Sequence, residues 1–258
     1  MTNSIKDQVV CLGHRKYSET SQIVTLFGRS SGKIQAIAKG ARRARAKFSG
    51  GIDVLSSGQA VFIRPGPDAT LATLTEFSLE ESFQLLRRNL LGLNCGEFMA
   101  SITADFTEQF DPHQRLYDAL IYSLDSLQHT ARPEAVLVDF EMLLLGEVGL
   151  KPIWQRCCLC GRELPKVGKL YFSSGSGGML CGDCNSAVSE KRLVDRDALA
   201  VLQHPETTQT ADTQNVIKAH GTLCYHQREL LGKHSTVMKF LNQLLLKRGF
   251  PDERQQRS

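Results

Sequence analysis

The sequence predicts an α+β protein of more than one domain, and a change of hydrophobic period along the chain carries that prediction. Through residue 79 the apolar side chains fall in short runs broken by turn formers, as strands do; from Leu79 onward they recur every three to four residues, as on helices. Two Cys-x-x-Cys pairs separated by twenty residues then interrupt the helical part. The domains are accordingly 1–79 and 80–258, the second carrying a cysteine module at about 154–188.

The first domain offers five runs rich in β-formers, Gln8–Leu12, Gln22–Phe27, Lys33–Ala38, Gln59–Ile63 and Leu71–Phe77. Turn formers separate them at Arg29-Ser-Ser-Gly32, Gly50-Gly51, Ser56-Ser57-Gly58 and Pro65-Gly66-Pro67. Five short strands in so little chain suit a small barrel, and the five-stranded OB-fold is the common barrel of this size that binds nucleic acid.

In the second domain Phe98, Ile102, Phe106 and Phe110 recur every four residues, and Leu116, Leu120, Leu124 and Leu127 form another stripe. Pro112 and Pro133 stand where helices begin, and Val136, Leu137, Phe140, Leu143, Leu144 and Val148 make a third apolar face before Gly149. Helical patterns resume at Asp195–Gln203, Asp212–Leu231 and Ser235–Lys247, and the last eight residues, PDERQQRS, are expected to fray.

Cys157-Cys158-Leu159-Cys160 and Cys181-Gly182-Asp183-Cys184 have the spacing of two knuckles that enclose one tetrahedral zinc. Cys157, Cys160, Cys181 and Cys184 are the expected ligands, with Gly161 and Gly182 relieving the backbone and Cys158 a bystander. A redox role would need one such pair opening a helix after a strand, whereas these flank a Gly-rich hairpin, Tyr171–Met179. His204-Pro205-Glu206 is formally the His-x-Glu of zinc deaminases, but it follows the cysteines, and four thiolates leave no position for an activated water. The metal is therefore expected to be structural.

The net charge of +4 conceals a strong asymmetry. Residues 1–50 carry ten basic and two acidic side chains, residues 51–150 five and fifteen, and residues 151–258 sixteen and ten. An N-terminal part so basic is suited to a polyanion. Lys39-Gly40-Ala41-Arg42-Arg43-Ala44-Arg45-Ala46-Lys47 concentrates five cations in nine residues, and its small spacers let a loop lie close to a phosphate backbone. Lys39, Arg42, Arg43, Arg45 and Lys47 are the expected DNA contacts, and Arg15, Lys16 and Lys33 extend that surface.

Other motifs fail on their spacing. Gly28-Arg-Ser-Ser-Gly32-Lys33 is one residue short of a phosphate loop, and Ile34 replaces its Ser or Thr, so nucleotide hydrolysis is not expected. Gly175-Ser-Gly-Gly178 reads as a turn. No nucleophile and base can be paired, and the chain is expected not to be an enzyme. The start MTNSIKDQVVCLG lacks the features of a secretory signal, no apolar run reaches membrane length, and eight cysteines in 258 residues do not make a disulfide scaffold. A cytoplasmic protein with reduced thiols and no membrane partner is expected.

Taken together, the chain resembles the RecO recombination mediators of bacterial DNA repair. The resemblance rests on Leu12-Gly-His-Arg15-Lys-Tyr17-Ser-Glu19-Thr20 followed by Gly32-Lys33, on Lys39-Gly40-Ala41-Arg42-Arg43, and on Cys157-x-x-Cys160-Gly161 through Gly177-Gly178 to Cys181-x-x-Cys184. Leu231-Gly-Lys-His-Ser235 followed by Phe240-Leu241 is similar too. Ala46 departs from the serine common in the basic loop, and Cys158 adds a thiol beside the knuckle; neither change removes a cation or a ligand. The resemblance implies an N-terminal OB-fold, a helical domain and a zinc module within it. It further implies binding of single- and double-stranded DNA, annealing of complementary strands, and engagement of the C-terminal tail of single-stranded-DNA-binding protein. Partnership with RecR in loading the RecA recombinase, in the bacterial cytoplasm at the nucleoid, is also implied. The other reading of the same residues is a zinc-scaffolded regulatory protein whose basic loop binds RNA.

Overall fold

The computed structural model describes residues 4–41, 48–49, 52–66, 70–233 and 236–249. The chain divides into two compact units, 1–129 and 130–258.

In the first unit β1 (Ser4–Lys16), β2 (Gln22–Gly28) and β3 (Gly32–Ala38) form an antiparallel meander. After a two-residue strand, β4 (Phe48–Ser49), the chain enters β5 (Ser57–Ile63), which pairs with β1, and β6 (Ala72–Glu81), which pairs with β5. The sheet closes where β6 runs parallel to β3, from Ala36 opposite Ala72 to Ala38 opposite Leu74. Five long strands in this order make the OB-like barrel expected from the sequence, and β4 lies beside β6.

Alternation explains the barrel's core. Along β3 Ile34, Ala36 and Ala38 are buried while Lys33, Gln35 and Ile37 are half-exposed; the buried set meets Val9, Val24, Leu26, Phe62, Leu74 and Phe77. The thirteen-residue β1 serves two neighbours, and its register with β2 shifts between Cys11 and Gly13, the local bend that lets a long strand follow a closing sheet.

The turn between β2 and β3 accounts for the glycines of the near-miss phosphate loop. A Cβ on Gly28 would lie 2.5 Å from Asp7 Oδ2, and one on Gly32, at φ +68°, 2.1 Å from the Asp111 carbonyl oxygen. Asp7 meanwhile accepts the Ser30 N–H at 3.0 Å. The glycines serve a close approach of the chain to itself.

Helix α1 (Leu90–Phe106) is capped by the Asn89 side chain, which accepts the Gly92 N–H at 3.1 Å. It ends before Phe110, which the four-residue repeat had placed on the same helix. Thr107 is extended and Phe110 adopts φ +59°. Phe110 leaves the helix because its N–H donates to the Lys33 carbonyl at 2.9 Å and its ring packs on the barrel core beneath the Arg64 guanidinium, 4.6 Å away. Helix α2 (Gln114–His129) buries the stripe Leu116, Leu120, Leu124 and Leu127. Strand gives way to helix just after Glu81, near the boundary drawn at 79, but the compact unit continues because α1 packs on β1 and α2 on α1.

The second unit contains α3 (Pro133–Glu147), β7 (Leu170–Ser173), β8 (Gly178–Leu180), β9 (Arg192–Val194), α4 (Arg196–Gln203), α5 (Thr213–Leu231) and α6 (Thr236–Gly249). Pro133 opens α3, and Asp195 and Asp212 cap α4 and α5 by accepting their first free N–H groups. The strands form a small sheet in the order β8-β7-β9. Trp154, fully buried, stacks on Phe172 of β7 with centroids 5.0 Å apart, which seats the cysteine module on the sheet. Among the described residues no helix is long and apolar enough to cross a membrane. The terminal PDERQQRS lies outside the described residues.

Candidate metal centre and basic rim

Two short turns bring the four cysteines together. In the first, the Cys157 N–H donates to the Arg162 carbonyl at 2.9 Å and the Gly161 N–H returns to the Cys157 carbonyl at 3.0 Å. Gly161 sits at φ +72°, where a side chain is strained, so this glycine is required. Gly182 in the second turn has ordinary backbone and open space around it, so the relief expected there is not needed.

Backbone pairing then sets the turns side by side. Ile153 donates to Gly177 at 3.0 Å, Met179 to Ile153 at 2.9 Å and Cys158 to Met179 at 2.9 Å, so the segment leading into the first pair runs along β8, which leads into the second. A Cβ on Gly178 would lie 2.6 Å from the Ile153 carbonyl oxygen, so this approach needs a glycine. Arg162 and Asp183, one from each turn, form an ion pair at 2.9 Å.

The sulfurs of Cys157, Cys160, Cys181 and Cys184 all lie within 4.8 Å of one another, and those of Cys160 and Cys181 are 3.7 Å apart. Metal–sulfur bonds of about 2.3 Å in a tetrahedron set sulfurs about 3.8 Å apart, so the cluster can hold one thiolate-bound ion. The proton chemistry agrees. The Arg162 N–H and guanidinium lower the Cys160 thiol to about 6, while hydrogen bonds to Cys181 and Cys160 push Cys184 up to about 12. Sulfurs this close cannot all ionise unless a cation sits among them. Cys158 stands outside the group, its thiol raised by burial and then by the neighbouring Cys157 charge. His204 instead bonds Glu206 at 3.2 Å and is not among the clustered ligands.

Of the basic residues, Arg42, Arg43, Arg45 and Lys47 lie outside the described residues. Arg15 and Lys16 are exposed at the end of β1, where Lys16 faces Gln22 of β2 and Gln22 faces Ala38 of β3. Lys39, exposed, follows Ala38 directly, so Arg15, Lys16 and Lys39 share one rim of the barrel, the rim from which segment 39–47 departs. Lys33 is at the other end of β3, about 17 Å along the strand; its ammonium donates to the Ala104 carbonyl near the end of α1 at 2.6 Å.

Tyr17, 62% exposed beside Arg15 and Lys16, is an aromatic of the same rim that reading by charge alone passes over. The signal was an aromatic next to two cations in a strand-to-strand turn. The helical unit also carries a cleft of about 550 Å³ in which Arg192, Lys218 and Lys239 stand beside Ile217, Met238 and Leu246.

Comparison with known proteins is consistent along the chain. Residues 1–83 match the family model described as Recombination protein O N terminal, and residues 87–229 the one described as Recombination protein O C terminal. The chain is 33% identical over 207 residues to the DNA repair protein RecO of Rhodopirellula baltica, covering 77% of this chain and 76% of that one. It is 31% identical over 186 residues to the protein of the same name from Anaeromyxobacter dehalogenans, 72% of each chain. With that of Moorella thermoacetica it shares 30% over 194 residues, 75% of this chain and 71% of the relative.

Proposed function

Because this chain belongs to the RecO family of DNA repair proteins, we propose that it acts as a recombination mediator. It binds single- and double-stranded DNA, anneals complementary strands and, with RecR, helps load RecA onto DNA coated by single-stranded-DNA-binding protein. The observation that carries this reading is the barrel rim, where exposed Arg15, Lys16 and Lys39 lie at the end from which the chain continues into a segment containing four further cations. Phosphates neutralised there draw two strands together without a catalytic group, while Tyr17 offers a face for an unstacked base.

The metal of the four-cysteine centre is zinc in this reading, bound once per chain with no open coordination position, and the chain has no turnover of its own. The cleft of the helical unit suits the acidic tail of single-stranded-DNA-binding protein, since its cations meet carboxylates and its apolar wall meets a terminal side chain. Such a protein works in the bacterial cytoplasm, at the nucleoid. Annealing of complementary oligonucleotides coated with single-stranded-DNA-binding protein tests the proposal. The chain is expected to accelerate annealing, and with RecR to accelerate RecA filament formation; a folded protein without effect on either, or with tighter binding to RNA than to DNA, overturns it.

A further inference from the structure

Three helices of the second unit converge on a buried polar cluster that the four-cysteine centre does not use. Glu141 of α3 and His220 and Cys224 of α5 are all buried, and their donor atoms lie within 4.8 Å of one another. His220 and Cys224 are one turn apart and share a face of α5. Asn242 of α6 completes the group, with Oδ1 3.1 Å from His220 Nε2.

The hydrogen bonds order the cluster from one side. Glu141 Oε2 lies 2.7 Å from His220 Nδ1, and Glu141 Oε1 accepts from Gln227 Nε2 at 3.0 Å. A carboxylate fixed in this way keeps a proton on Nδ1 and turns Nε2 toward Cys224 Sγ, 3.3 Å away, and toward Asn242. Metal-bound imidazoles are oriented by the same carboxylate arrangement. Around a tetrahedral ion with bonds of about 2.0–2.3 Å, nitrogen and sulfur sit about 3.5 Å apart and nitrogen and oxygen about 3.4 Å. Nε2 thus needs to part from Sγ by about 0.2 Å and from Oδ1 by about 0.3 Å. Cys224 and Asn242 also line the cleft that holds Lys218 and Lys239, which supplies an entry path and a fourth position for water.

We propose that His220 Nε2, Cys224 Sγ and Asn242 Oδ1 form a second metal site for a borderline-soft divalent cation such as zinc, with Glu141 as the positioning residue behind the imidazole. The thiolate and the carboxylate neutralise the ion in the helical core. Its competitor is the proton. Burial disfavours the imidazolium, but Cys224 and Glu141 outweigh burial and hold His220 well above its ordinary range, so a metal must displace protons from the imidazole and the thiol to bind.

Cobalt(II) alone, added to the chelator-treated full chain and counted by native mass spectrometry, tests the site. Two ions are expected per wild-type chain, one in Cys224→Ala, one in His220→Gln, and one in Cys160→Ala/Cys184→Ala. Asn242→Ala truncates a half-exposed side chain, a milder change than one in the core, and it too should lose the second ion at stoichiometric cobalt, which keeps the test decisive if a core variant unfolds. A wild-type chain that takes up one ion or none, or a folded Cys224→Ala or Asn242→Ala chain that keeps as many as wild type, overturns the proposal and leaves the cluster as a protonated imidazole between Glu141 and Asn242.

Discussion

Arg162 in the first cysteine turn and Asp183 in the second lie 2.9 Å apart, so the two halves of the module are joined by an ion pair as well as through their sulfurs. The two joints differ greatly in strength. Both partners are exposed, so water and salt screen the pair and it contributes little, whereas an ion bound by four thiolates would contribute folding energy outright. With zinc bound as proposed, the metal would be the stronger joint.

Replacing Cys160 and Cys184 together with Ala is therefore expected to remove one equivalent of zinc and to unfold the module. Asp183→Ala and Cys158→Ala should both keep that zinc. Metal analysis of the purified variants decides, and full zinc content in the double variant would sink the assignment of these ligands.

Replacing Arg42, Arg43 and Arg45 with Ala should weaken DNA binding for all sequences alike, since cations among small residues meet phosphates and not base edges. If each contacts one phosphate of a single strand, the slope of log affinity against log salt falls by about two. Arg15→Ala should lower affinity in the same salt-dependent way. Lys33→Met is expected to act on stability instead, costing about 1–2 kcal/mol for the lost bond to the Ala104 carbonyl, because its ammonium is engaged within the fold. Salt titrations of binding alongside thermal melts separate the two effects. An unchanged slope in the folded triple variant moves the DNA surface elsewhere.

Gly32→Ala should destabilise the first unit by more than about 2 kcal/mol. The new Cβ meets the Asp111 carbonyl oxygen at 2.1 Å in a backbone conformation, φ +68°, that alanine already resists. Gly13→Ala, where nothing lies within 4 Å, is the matched control. Equal melting temperatures for the two variants would show that the β2–β3 turn yields freely.

Glu190 gives a pH dependence of known sign. Burial alone would raise its carboxyl, but the Tyr225 hydroxyl, the Gly175 and Ser174 N–H groups and the Ser173 hydroxyl outweigh it and hold the carboxyl below its usual range. A group depressed in the folded state stabilises fully above its unfolded value, near 4.5, and loses that contribution as pH falls through the lower folded value. The difference in urea midpoint between wild type and Glu190→Gln is expected to be constant from pH 8 to about 5 and to shrink below about 4. Taking the difference removes the effect of acid on the cysteine ligands, which both proteins share. A difference that grows on acidification contradicts the assignment.

The long strands were legible because alternate burial leaves a period-two trace, and the four-cysteine cluster because ligands able to share one ion need a fixed spacing. What depends on contact across space left no such trace. Gly178 looks like any turn glycine until the Ile153 carbonyl is seen beside it, and Phe110 continues a perfect four-residue repeat until the Lys33 carbonyl claims its N–H. Glu141, His220, Cys224 and Asn242 come from three helices, each reading as an isolated polar position in an apolar stripe. Phe48–Ser49 is too short a strand to have any period. The basic segment was legible by composition alone, and Arg42, Arg43, Arg45 and Lys47 fall outside the described residues.

The parallel pairing of Ala36 with Ala72 also sets a timetable for the nascent chain. The β1–β3 meander can form as soon as it leaves the ribosome, but the free edge of β3 stays uncovered until β6 follows. At about 5–20 residues per second, the interval between synthesis of Ala38 and of Glu81 is about 2–9 s, far longer than the microseconds in which a hairpin forms. For those seconds the half-made barrel exposes an unpaired strand edge that any other extended chain can occupy. Residues 39–81 are therefore the stretch whose synthesis time sets how long that edge stays open.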